Sequence, residues 1–95
     1  MTLPAFSLAR RLAAGETVYT GWCGMKAPLV PEILAREGFT AVTMDQQHGL
    51  WDFSATTEAI AGVHQAGAAP LVRVPLGDFA SVSRMLDAEI GRAHV

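Results

Sequence analysis

The chain contains a single cysteine, Cys23, so it can form no internal disulfide and no cysteine-based zinc site. It also contains a single lysine, Lys26, and its arginines are scattered, with only Arg10 and Arg11 adjacent. At a net charge of -2 this supplies no basic stripe, so no nucleic-acid partner is expected. No apolar run approaches the roughly 18 residues that a membrane helix needs. The N-terminus lacks a lysine- or arginine-led apolar core with a cleavage pattern, so no signal peptide is expected. These absences together fit a cytoplasmic protein. The chain has no internal repeat, no low-complexity tract and no His/Asp/Glu cluster with metal-ligand spacing.

Apolar residues, in contrast, are abundant, at 51% of 95 residues with a mean hydropathy of +0.27. A domain this short buries a smaller share of its surface than a large one does. Strands that are apolar along their whole length want cover on both faces, which a short chain struggles to supply. The composition therefore points to a piece of a larger fold.

Pattern and punctuation predict an alternation. A helix over Pro4–Ala14, with Leu8 and Leu12 inward, is closed by Gly15. A strand over Thr17–Cys23 follows, then a helix over Leu29–Glu37 with Leu29, Ile33 and Leu34 on its inner face, closed by Gly38. A second strand covers Ala41–Asp45. Ser54 reads as the N-cap of a helix over Ala55–Gln65, with Ile60 and Val63 inward and Gly67 at its end. A third strand covers Ala69–Val74. A last helix covers Phe79–Ala88, with Phe79, Val82, Met85 and Leu86 inward. This order argues for a parallel sheet with crossover helices. A repeat of roughly 25 to 30 residues fits both a (β/α)₈ barrel and a doubly wound sheet. Gly21-Trp22-Cys23-Gly24 lacks the third glycine and the spacing of a dinucleotide fingerprint, which favours the barrel.

Polar groups at strand ends are where such folds place chemistry. His48 lies just beyond the second strand, where it can act as a general base near neutral pH or simply bond within its loop. Asp45 ends that strand and could orient a histidine or a metal's water shell, or cap the loop. Arg73 sits near the end of a buried-strand pattern. There it could hold a carboxylate or polarise a carbonyl oxygen, or else form a structural ion pair with Asp45 or Asp78. Asp87, late in the last helix, reads by default as a surface aspartate. Trp22 and Trp51 read as packing residues, His64 as solvent-facing, and Cys23 as a small core residue.

Glu89-Ile90-Gly91-Arg92-Ala93-His94-Val95 breaks the pattern. It can be back-translated as GAG ATC GGA AGA GCA CAC GTC, for which the next codon would be a TGA stop, and without its first G that reading matches a sequencing-library adapter. Residues 89–95 are therefore expected to be a non-native, adapter-encoded tail, with residues 1–88 forming a truncated barrel domain. The parent nucleotide sequence decides this.

The ordered set Gly21-Trp22, Pro31-Glu32-Ile33-Leu34-Ala35 with Gly38-Phe39, Asp45-Gln46-Gln47-His48-Gly49, Leu71-Val72-Arg73-Val74-Pro75 and Met85-Leu86-Asp87-Ala88 resembles the HpcH/HpaI aldolase/citrate lyase family. The resemblance covers nearly all of residues 5–88. It departs at Gln47, where many members carry Glu. It implies an α/β fold, the N-terminal portion of a TIM (β/α)₈ barrel, with about three βα units and a leading helix. It also implies metal-dependent class II aldolase chemistry, in which 4-hydroxy-2-oxo acids are cleaved to pyruvate and an aldehyde. By the same resemblance, His48 acts in proton transfer and Arg73 contacts the 2-oxo oxygen. Asp87 orients His48, and Asp45 supports the outer shell of a divalent metal (Mg²⁺, Mn²⁺ or Co²⁺). The direct metal ligands are expected beyond residue 88, and the full-length protein is expected to be a homo-oligomer. The chain alone is expected to be inactive and to expose the edges of its third and outer strands. Two rivals stand beside this reading: a CoA-thioester lyase of the citrate/malyl-CoA type, and a non-catalytic small α/β binding module.

Overall fold

The computed structural model describes residues 4–88 and 92–94. The elements run α1 (Pro4–Ala13), β1 (Thr20–Cys23), α2 (Leu29–Arg36), β2 (Ala41–Asp45), α3 (Phe53–Gln65), β3 (Ala69–Arg73), α4 (Phe79–Asp87) and β4 (Arg92–His94). All four strands are parallel, in the order β1-β2-β3-β4. The alternation read from the sequence is present, with β1 starting at Thr20 rather than Thr17.

Alternation along each strand separates two faces. Val42, Met44, Val72 and Val74 point to the helix layer and form one core with Cys23, Ala35, Trp51, Ala59, Ile60, Val63 and Met85. On the other face lie Ala41 and Ala69, which pack with Leu8 of α1 in a smaller cluster. Above them, Thr20 and Thr43 hydrogen-bond through their hydroxyls at 2.9 Å. Above those, at the carboxyl end of the strands, Asp45 pairs in register with Arg73.

Three helix-face assignments differ from the sequence pattern. In α2 the buried residues are Pro31 and Ala35, with Leu34 partly buried, while Leu29 and Ile33 are exposed. In α4, Met85 is buried and Val82 partly so, but Phe79 and Leu86 face out. In α1, Leu8 is buried and Leu12 is exposed. In each case the helix has more apolar residues than one stripe can hold, and the smaller side chains or those nearest the sheet take the core positions. The α3 N-cap is Asp52, whose carboxylate accepts the Ala55 N–H at 2.8 Å, and not Ser54. Ser54 instead lies inside the first turn, where its carbonyl accepts the Thr57 hydroxyl. His64 is half-buried rather than solvent-facing.

The backbone of Arg92–His94, read from the sequence as a non-native tail, lies parallel to β3. An open strand edge pairs through main-chain groups, whatever the side chains are. The rest of the tail, residues 89–91 and 95, lies outside the described residues. Among the described residues β1 has one neighbour, as expected of an outer strand, whereas the β3 edge, expected to be open, is paired with the backbone of Arg92–His94.

Candidate functional site

Asp45 and Arg73 end adjacent strands on the face opposite the main helix layer, and they form a bidentate pair. Arg73 Nε donates to Asp45 Oδ1 at 3.0 Å and Nη2 donates to Oδ2. Of the two partners that the sequence left open for Arg73, the structure selects Asp45. Asp78 is occupied elsewhere, capping α4 through the Ser81 N–H and hydroxyl. The Asp45 side chain is 5% exposed and that of Arg73 24%, so the pair sits at a boundary, with only the arginine reaching solvent.

Asp45 accepts three further bonds. Its Oδ1 takes the backbone N–H groups of Gln47 at 3.0 Å and His48 at 3.1 Å, and its Oδ2 takes the Trp22 indole N–H at 3.3 Å. The Arg73 guanidinium, helped by these N–H groups, holds the Asp45 carboxyl well below the usual carboxylate range, and Asp45 in turn raises Arg73. Five donors use up the roughly four lone-pair sites of a carboxylate. Asp45 is thus both an ion-pair partner and the cap that shapes the loop after β2.

The same loop is tied to its neighbours by main-chain groups. Gln46 N–H donates to Arg73 O at 2.8 Å and Leu50 N–H to Gly24 O at 2.8 Å. Trp51, a packing residue as expected, donates its indole N–H to Cys23 O at 2.9 Å. Gly49 occupies a point where a Cβ would lie 2.3 Å from Asp45 O and 2.8 Å from Gly24 O, so no larger residue fits without moving backbone. His48 therefore has a fixed backbone position, and its residue is exposed.

Asp87 ends α4 and is exposed, and no hydrogen bond or ion pair joins it to His48 among the described residues. In a βα unit the helix C-terminus lies at the end of the sheet away from the strand carboxyl ends. The chain thus brings Asp45 and Arg73 together with the His48 loop, and leaves Asp87 apart. Among the described residues no three His, Cys, Asp or Glu side chains come together to hold a metal. With the Asp45 oxygens already engaged, the residues described do not by themselves fit a direct divalent-metal site. No helix among them is long and apolar enough to cross a membrane.

The sequence reading took Trp22 as a packing residue. It is instead 53% exposed, bonded to Asp45, and 5.0 Å from the Arg73 guanidinium carbon at its ring centroid. The signal that could have found it is strand alternation: Trp22 shares a face with Thr20, and Thr20 pairs with the face that carries Thr43 and Asp45.

No family model matches the chain. Among curated proteins it is 32% identical over 74 residues to a hydroxypyruvate/pyruvate aldolase of Rhizorhabdus wittichii, covering 78% of this chain and 30% of that protein. Among solved structures it matches an HpcH/HpaI aldolase from Desulfitobacterium hafniense at a TM-score of 0.72 and 30% identity, covering 87% of this chain and 32% of the other. It matches the citrate synthase SbnG at a TM-score of 0.79 and 26% identity, over 87% of this chain and 34% of the other. The chain thus spans about a third of the length of the proteins it matches. Its α/β fold is that of a part of these TIM-barrel proteins.

Proposed function

Because this chain is similar in sequence and fold to HpcH/HpaI aldolase/citrate lyase family proteins over about a third of their length, we propose that it forms part of the active site of a carbon–carbon lyase acting on 4-hydroxy-2-oxo acids. The observation that carries the reading is the Asp45–Arg73 pair at the strand ends, beside the loop that holds His48.

Cleavage removes the proton of the 4-hydroxyl and breaks the C3–C4 bond. The aldehyde leaves, and the electron pair passes to C3 and the 2-oxo oxygen as an enolate. Protonation at C3 then gives pyruvate. Arg73 keeps N–H groups beyond the two that Asp45 engages, and a guanidinium at the 2-oxo oxygen stabilises the developing negative charge. His48 moves the proton. Asp45 fixes the Arg73 fork and, through the loop amides, the position of His48. Asp87 could orient His48 only from another copy of the protein or from an altered helix end.

A divalent metal, Mg²⁺, Mn²⁺ or Co²⁺, belongs to this reading through the resemblance alone, and its ligands would come from protein outside the described residues. The 95 residues by themselves should therefore be inactive.

Two proteins test the proposal. The purified chain with Mg²⁺ or Mn²⁺ and a 4-hydroxy-2-oxo acid should release no pyruvate above background. Residues 5–88 placed over the matching segment of the Rhizorhabdus wittichii aldolase should release pyruvate, and R73A in that chimera should abolish most of the rate. A folded chimera without activity, or one indifferent to R73A, refutes the reading.

A further inference from the structure

Trp22 touches both members of the ion pair with different parts of one side chain. The indole N–H meets Asp45 Oδ2 at 3.3 Å, and the ring lies under the Arg73 guanidinium, 5.0 Å from its carbon to the ring centroid. The second distance is within the roughly 6 Å over which a ring face attracts a cation. The placement follows from strand geometry. Trp22 lies one residue from Gly21 and Cys23, both of which are buried, and it emerges on the face that carries Thr20. The Thr20–Thr43 hydroxyl bond beneath it ties that face of β1 to β2.

We propose that Trp22 is a positioning residue for Arg73: it clamps the guanidinium against Asp45, so that the N–H groups not used by Asp45 are presented in one orientation to an anionic, oxo-bearing ligand. The physical case is one of degrees of freedom. Arg73 hangs from a strand end with a side chain that is 24% exposed. Two bonds to Asp45 fix one edge of the fork, and the indole covers one of its faces. The free edge of the fork is then held in one orientation, and planar bidentate recognition of carboxylates uses such an edge. Tryptophan does this without adding charge. An acid at that position would neutralise Arg73 further, and a base would repel it.

The inference rests on the reading of Arg73 as the group that meets a 2-oxo acid, but its test does not need that ligand. In the 95-residue chain with ¹⁵N-labelled arginine, the Arg73 Nε–H signal reports how firmly the fork is held. W22L loses ring and N–H together, and hydrogen exchange at Arg73 Nε–H should quicken about fivefold; W22F keeps the ring, and exchange should quicken about twofold. The backbone amides of Gln47 and His48 serve as the check that each variant is folded. A merely space-filling Trp22 would move stability but leave Arg73 exchange in the folded state unchanged. An unchanged rate in either folded variant overturns the proposal. W22F, the milder change, keeps the test open should W22L not fold. Pyruvate release by the chimera reads the function separately. If Arg73 exchange responds to W22L but the folded chimera releases no pyruvate, the positioning role stands and the 2-oxo acid assignment falls.

Discussion

Asp45 binds five N–H groups with two oxygens, and three of those groups belong to other elements or to charged side chains. Such a carboxylate should resist protonation. Its folded-state value is depressed below the roughly 3.9 of a free aspartate. The stability it contributes is therefore fully present above that pH, and is lost only as the pH falls through the folded-state value. An NMR titration of the side-chain carboxyl should find Asp45 ionised at pH 4, with the Arg73 pair intact; an ordinary aspartate midpoint would contradict this. D45N should lower Tm by several degrees and flatten the acid limb of the stability profile, because the amide presents donors to the Arg73 fork. Gly49 makes a second prediction at this scale. A Cβ there meets backbone oxygens on both sides, and backbone cannot swing aside as a side-chain tip can. G49A should cost about 2–4 kcal/mol in urea unfolding. A cost near zero would mean that the β2 loop is free to shift.

At the scale of elements, β2 was legible to the residue, because an apolar run bounded by Thr40 and a titratable cluster has one reading. The helix faces were only partly legible. Leu29, Ile33, Phe79 and Leu86 satisfied helical periodicity and still point outward. Apolar spacing says which residues share a stripe but not which of two overlapping stripes meets the sheet. In α2 that choice falls to Pro31 and Ala35, small enough for the helix to approach the sheet closely. The strand-end placement of Asp45, Arg73 and His48 was legible from the sequence, whereas the exposed position of Trp22 was not, because its partners come from strands further along the chain. The α4 pattern gives a direct check. M85A should cost about 2–5 kcal/mol, since Met85 is 1% exposed and packs in the main core. F79A should fall within about 0.5 kcal/mol of no effect, since Phe79 is 74% exposed. Thermal or urea unfolding of the two variants side by side suffices, and equal costs would mean that the helix is rotated.

At the scale of the whole molecule, three βα units leave a great deal of surface that a complete barrel would cover. Met25, Leu50 and Leu76 are exposed in the loops after β1, β2 and β3, and Tyr19 and Phe39 are exposed near the opposite end of the sheet. Large exposed apolar patches and open strand edges both promote association. The β3 edge is the one that the tail covers, through the backbone of Arg92–His94. Edge pairing runs through N–H and C=O groups, so it does not depend on which side chains the segment carries. A chain ending at Ala88 would present both outer edges, and sedimentation should show it associating at lower concentration than the 95-residue chain. Restoring residues 89–95 with a different sequence of high strand propensity should reverse the effect, because the pairing depends on the backbone. If instead the two lengths sediment alike, the strand at 92–94 contributes no protection. The association would then have to come from the apolar loops alone, which replacing Met25, Leu50 and Leu76 with polar residues would reveal.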